Sequence, residues 1–168
     1  MTKGMKYHFD LEKGIIYDEV TGDRCFILTK ARLLQIIERL KDLFQSGAQV
    51  IVIEAFKAAG ERYVDEVPEE ARMDYALFLK TAVQRFTDAG LGKIEVVKFK
   101  PETLEVTFRV WNNFFAEMRN EEATYCDCVV AFAGGMYKRV TQKTPEIKEI
   151  KCIGKGDEYC EWRIKPAE

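Results

Sequence analysis

Apolar residues repeat at two spacings along this chain, and the order in which those spacings alternate leaves few folds open. Met5, Tyr7, Phe9 and Leu11 share one parity and read as a strand; after the Lys13-Gly14 turn signal, Ile15 to Val20 returns as its hairpin partner. From Thr29, a helix N-cap, the period becomes helical through Leu33, Leu34, Ile36, Ile37, Leu40, Leu43 and Phe44, with Gly47 as the stop. Ala48 to Val64 has a β-branched start, but its length and alanines favour a buried helix. Pro68 opens a third helix, Glu69 and Glu70 suit its first turn, and Gly90 and Gly92 end it. Alternation returns in two strands, Ile94 to Phe99 and Leu104 to Val110. A fourth helix follows from Thr124 to Gln142, and a last hairpin pairs Glu146 to Ile153 with Glu158 to Ile164. The order β-β-α-α-α-β-β-α-β-β predicts an α+β fold, an antiparallel sheet with helices packed on it.

Each glycine inside a helix costs about 1 kcal/mol against alanine, so Gly134 and Gly135 in the fourth helix imply a close packing contact. No linker, repeat or low-complexity tract divides the chain, and its 168 residues are expected to form one domain. Twenty-six basic against 28 acidic residues leave a net charge of -2, with no surplus to neutralise a phosphate backbone, so nucleic acid is not the expected partner. No apolar run approaches the ~18 to 20 residues of a membrane span. Residues 1 to 10 lack the apolar region of a signal peptide, and a cytoplasmic protein is expected.

The chain has five cysteines and one histidine. An odd cysteine count without a secretory signal predicts reduced thiols, and a single His8, read as a surface or hairpin residue, leaves any metal chemistry to cysteine and carboxylate. A turn centred on Gly156 sets Cys152 opposite Cys160, with Cβ atoms about 4.5 to 5.5 Å apart. Such a pair suits two thiolates on one metal, a cross-strand disulfide or two small buried apolar groups. Cys126 falls on the inward face of the fourth helix with Val129, Val130, Ala133, Tyr137 and Val140, whereas Cys128 lies about 200° around the cylinder. Glu149 is near in sequence, in the pattern Glu149-x2-Cys152-x7-Cys160, but a regular strand would send residues three apart to opposite faces. A bulge, an edge position or strong twist is needed to bring them together.

The stretch from Glu149 to Trp162, with its Glu-x2-Cys, Gly156-Asp157 turn and second cysteine, resembles the terminal signature of the 4-vinyl reductase domain family. Cys126 followed by Gly135 resembles that family's cysteine-and-glycine helix, and the 22 intervening residues to Glu149 suit its spacing. The resemblance is strong over roughly the last 45 residues and otherwise rests on element order. It implies a fold shared with trafficking-complex subunits of the TRAPP type and with haem-based nitric-oxide sensors. It also implies a zinc held by Cys126, Glu149, Cys152 and Cys160, structural because four protein ligands leave no open position. Lys151, Lys155 or backbone N–H groups would offset the site's negative charge.

Family members include sensory domains of phenol-responsive activators, which points to a cavity for an apolar or aromatic small molecule. Phe56, Phe78, Phe108 and Trp111 are the candidate lining, Trp111 because it breaks the parity of its strand and precedes Asn112-Asn113. Gly154-x-Gly156 is no phosphate loop, since no helix follows it. The paired carboxylates Glu69-Glu70 and Glu121-Glu122 suit helix starts, and no nucleophile–base pair or nicotinamide or flavin fingerprint stands out. The expected function is a stand-alone small-molecule-binding or sensing domain, acting through a homodimer or a separate output protein. The alternatives are a component of tetrapyrrole vinyl reduction, which the family name implies, and an adaptor subunit of the TRAPP-like type.

Overall fold

The computed structural model describes residues 6–118 and 125–168. Met5, the Glu121-Glu122 pair and Thr124 lie outside the described residues. A three-stranded antiparallel sheet comes first, built from β1 (Tyr7–Asp10), β2 (Ile15–Asp18) and the short β3 (Arg24–Cys25). Helices α1 (Lys30–Phe44), α2 (Ser46–Glu66), α3 (Glu69–Met73) and α4 (Tyr75–Asp88) follow. Next come β4 (Lys93–Lys100), β5 (Glu105–Trp111), one turn of α5 (Phe114–Glu117), α6 (Cys126–Thr141), β6 (Pro145–Lys151) and β7 (Cys160–Pro166). The four later strands form a second antiparallel sheet in the order β4-β5-β7-β6. The α+β class and element order match the expectation, with three short additions, namely β3, a further helix before β4, and α5, and with a single 3-10 turn at Ile153–Lys155.

Each addition has a local cause. The third predicted helix is two, because the Asp74 side chain accepts hydrogen bonds from Ala76 N (2.9 Å) and Leu77 N (3.1 Å) and so caps a new start. Asn113 caps α5 in the same way through Phe115 N, at 3.0 Å. The break between α1 and α2 falls at Gln45, whose φ of 49° ends α1 two residues before Gly47. β3 is two residues long, too short for any periodicity to announce.

The inward face of the larger sheet carries Val106, Phe108 and Val110 from β5, paired with Ile164, Trp162 and Cys160 of β7. Ile94, Val96 and Phe99 of β4 extend it. Against this face lie α4 and α6, and α2 packs on α6 so closely that the two backbones nearly touch. A Cβ on Gly60 would stand 2.1 Å from Phe132 O, and one on Gly135 would stand 2.1 Å from Lys57 O. Gly134 meets Ile147 Cδ1 of β6 at 3.1 Å from its own Cβ position, so the adjacent glycines serve two neighbours, one helix and one strand.

A buried ion pair ties the smaller sheet to the body. Asp18, 1% exposed, accepts from Arg85 Nη2 of α4 at 2.8 Å and from Val20 N at 2.9 Å. A charge at this depth is tolerated because it is both paired and hydrogen-bonded.

Replacing Gly135 by alanine should cost about 3 kcal/mol or more of stability, because the methyl group meets backbone that cannot give way. Gly47→Ala, whose Cβ would meet only Phe44 Cβ at 4.0 Å, should leave stability unchanged or raise it by up to about 1 kcal/mol. Urea denaturation of the two variants beside the parent chain checks both.

Candidate metal centre and ligand cavity

Three elements converge on one set of sulfurs. Cys126 is the first residue of α6, Cys160 the first of β7, and Cys152 follows the last residue of β6. The register Lys151↔Glu161, extended by one residue, sets Cys152 across from Cys160. The Cys126 sulfur lies 3.5 Å from that of Cys152 and 3.9 Å from that of Cys160, and all three lie within 4.8 Å of one another. A disulfide needs about 2.05 Å. Sulfurs around a tetrahedral ion at ~2.3 Å stand about 3.8 Å apart, a value the two Cys126 distances bracket. Three buried thiols at that spacing fit a thiophilic divalent ion.

Hydrogen-bond donors already face the sulfurs. Ile153 N donates to Cys160 Sγ at 3.4 Å, and Asn113 Nδ2 approaches Cys160 Sγ at 3.5 Å and Cys126 Sγ at 4.0 Å. The hydrogen bond from Cys126, helped by these two groups, holds the Cys160 thiol below its usual range. That same bond, together with burial, pushes Cys126 well above it. Asn113 is wholly buried, and it serves the sulfurs and the α5 cap at once.

Glu149 lies on the inward side of β6. It pairs with Trp162 in one register, and the next pair, Lys151↔Glu161, is shifted, which leaves Ile150 as a bulge. That extra residue cancels the parity problem of the three-residue spacing and returns Glu149 to the face that carries Cys152. Its carboxylate pairs with the Lys155 ammonium at the rim of the cluster, outside the group of three mutually close sulfurs. Lys151 turns to the outer face, where Nζ donates to Tyr159 Oη at 3.0 Å. Cys128 is buried apart from the cluster, and burial pushes its thiol up to about 12.

From the cluster, α6 runs on to form the wall of an apolar cavity of about 240 Å³ between α4, α6 and the sheet. Phe78 and Phe108 line it, together with Tyr75, Phe86, Val129 and Tyr137. Arg85, Glu66 and the hydroxyl-bearing rings of Tyr63, Tyr75 and Tyr137 supply its few polar groups. Arg85 had a sequence signal: it sits seven residues after Phe78, a charge on the apolar stripe of its helix. Phe56 lies elsewhere, edge-on to Phe115 at 5.3 Å, in a second groove of about 710 Å³ beside the smaller sheet. Phe86, Ala89, Leu91, Val129 and Phe132 form a wall common to cavity and groove. Trp111 lines neither; it packs on Tyr159 at 5.5 Å beneath Lys93 Nζ at 5.6 Å. The break in parity that singles Trp111 out of its strand is what turns it away from the helices.

No protein-family model matches the sequence, and no curated protein is significantly similar to it. Solved structures do share the fold. The phenol-responsive sensory domain of the transcription activator PoxR, solved with phenol, superposes with a TM-score of 0.78 at 19% identity, over 95% of this chain and 84% of that one. A trafficking protein particle complex subunit 3 from Naegleria fowleri, covalently bound to palmitic acid, gives 0.56 at 14% identity, over 83% and 98% of the two chains. An H-NOX protein from S. oneidensis gives 0.53 at 14% identity, over 87% and 82%. The fold implied by the terminal motif is thus the fold observed.

Burial separates the cysteines by reactivity. Brief alkylation of the native protein should yield one adduct, at half-buried Cys25, with Cys126, Cys128, Cys152 and Cys160 modified only after denaturation. Peptide mapping by mass spectrometry reads the outcome.

Proposed function

We propose that this chain is a small-molecule-sensing domain that takes an apolar, aromatic molecule into the cavity between α4, α6 and the sheet. The observation that carries this reading is the cavity itself, lined by aromatic and aliphatic side chains with a few polar groups from Arg85, Glu66 and the tyrosine hydroxyls. Its size of about 240 Å³ suits a single substituted ring; apolar cavities of roughly 150 Å³ already accept benzene. The fold shared with a phenol-bound sensory domain supports the same reading.

Zinc is the ion we assign to the cluster, with Cys126, Cys152, Cys160 and Glu149 as its ligands. A bound zinc would supply a closed, redox-inert cross-link rather than a reactive centre. Around it, Asn113 and Ile153 N hold the sulfurs in place, and Lys155 offsets negative charge at the rim. Glu149 Oε2 accepts from Lys155, and the carboxylate's second oxygen remains for a ligand role. The cross-link would pin the start of α6 to the last hairpin, and α6 is the element that faces the bound molecule. Reduced, clustered thiols suit the cytoplasm. Output passes through a homodimer or a separate protein.

Elemental analysis of the purified chain should find about one zinc per molecule, lost in a Cys152→Ser, Cys160→Ser variant. Asn113→Ala should weaken zinc binding by about tenfold or more in a chelator competition. A metal-free protein of full stability in strong chelator would refute the assignment. For the cavity, phenol and toluene are the probes in calorimetric titration and thermal melting. Either should raise the melting temperature of the parent chain, and Ala133→Phe, which fills the cavity, should abolish the shift. Absence of binding by both molecules to the zinc-loaded protein would overturn the sensing proposal.

A further inference from the structure

The outer face of the larger sheet carries its charges in rows, and the strand register fixes each row. Residues directly opposite in an antiparallel pair point to the same face, so the strand order β4-β5-β7-β6 lines up four side chains at a time. One row reads Glu95, Arg109, Glu161, Lys151. The next, two residues along β5, reads Lys98, Thr107, Arg163, Lys148. A third reads Lys100, Glu105, Lys165, Glu146, where Glu105 and Lys165 extend the β5–β7 register by one pair. The outer two rows alternate in sign and cancel: Arg109 pairs with Glu161, and Lys165 Nζ stands 2.9 Å from Glu146 Oε2. The middle row holds three cations and no carboxylate. Lys98 leans out of it toward Glu105, 3.4 Å away. Lys148 and Arg163 stand directly opposite each other, and no acidic side chain lies within ion-pair distance of either among the described residues. Like charges in opposed positions destabilise a sheet. Lysine on an edge strand such as β6 guards against edge-to-edge pairing, but that does not account for an arginine across from it on the interior strand β7.

We propose that this middle row is the docking site for an acidic stripe on a separate output protein, the Asp and Glu face of a helix. Charge complementarity and dimensions argue together. Four strands ~4.8 Å apart make the row about 14 Å long, and carboxylates at i, i+4 and i+7 of a helix span about 10 Å. Successive rows stand only ~7 Å apart, and each flanking row presents two glutamates. A single line of negative charge fits between them, whereas the broad plane of an anionic membrane would meet all four. A nucleic-acid strand binds such a face by stacking bases on open rings. The middle row has no ring, and Trp111 and Tyr159, beyond the first row, already carry Lys93 and Arg109 over their faces. The row also backs onto the cavity: Thr107 sits between Val106 and Phe108, and Arg163 precedes Ile164, three apolar residues of the cavity lining. The docked protein is thus placed on the reverse of the strands that face the cavity. The proposal rests on register and charge, with ligand and zinc outside its test, so it and the sensing reading fail separately.

The probe is an acetylated, amidated alanine-based helical peptide with glutamates at i, i+4, i+7 and i+11, titrated into the isotopically labelled full chain at low salt. Amide resonances of Thr107, Arg163 and Lys148 should shift on titration, and binding should weaken as salt rises. Lys148→Glu turns the opposed like pair into an ion pair, so it should bind the peptide about tenfold more weakly or worse while melting no lower than the parent. Arg163→Gln tests the row from the other side of the pair, with the same loss expected. Lys80→Glu makes the same change of net charge on the exposed side of α4 and should bind like the parent. Equal loss in Lys148→Glu and Lys80→Glu would overturn the proposal, because net charge would then explain the binding. Absence of shifts along the row would overturn it too. So would tighter binding of a uridine oligonucleotide or of phosphatidylserine vesicles than of the peptide, which would give the face to nucleic acid or to membrane.

Discussion

The contact between α2 and α6 is the constraint on which the rest of the molecule depends. Two glycines, Gly60 and Gly135, let one backbone rest on the other at distances that no side chain could share. That contact sets the depth and angle at which α6 crosses the sheet, and α6 carries a sulfur at its first residue and the cavity wall along its next three turns. Move the helix outward by the thickness of a methyl group and Cys126 would leave the spacing it now holds to Cys152 and Cys160. A pair of hydrogen atoms in place of two methyls thus positions both the candidate metal centre and the candidate binding site.

The sulfur cluster is a second fixed point, and it is costly without compensation. Several negative charges in a buried site oppose one another strongly, so the donors around it matter as much as the sulfurs. The Asn113 amide, the Ile153 N–H and the Lys155–Glu149 pair are drawn from two segments of chain, the last hairpin and the single turn of α5. Capping a helix and facing a sulfur with one asparagine also explains why a polar residue is fully buried at that point.

Much of this was legible in the amino-acid order. Changes of apolar period gave the strands and long helices, helix geometry separated Cys126 from Cys128, and the turn around Gly156 aligned Cys152 with Cys160. What stayed hidden was decided by single residues acting against the regular pattern. Asp74 restarts a helix that its neighbours would have continued, and Gln45 takes a left-handed turn with a glycine two residues away. The bulge at Ile150 has no local signature, yet it decides on which face Glu149 lies. Gly60 sits in an alanine-rich run where a glycine attracts no notice, and only its partner helix gives it meaning. Trp111 shows the opposite case, a conspicuous residue whose irregularity marked the outer face of the sheet rather than the cavity.

Cavity and groove are two sides of one partition: Phe86, Ala89, Leu91, Val129 and Phe132 face both. A partition of close-packed side chains cannot shift toward one chamber without enlarging the other. Any occupant of the cavity that displaces these side chains therefore changes the free energy of filling the groove, and thermodynamic reciprocity makes the converse change equal in size. Five side chains with two faces are enough to let events in one chamber be felt in the other, with no hinge or domain rotation between them.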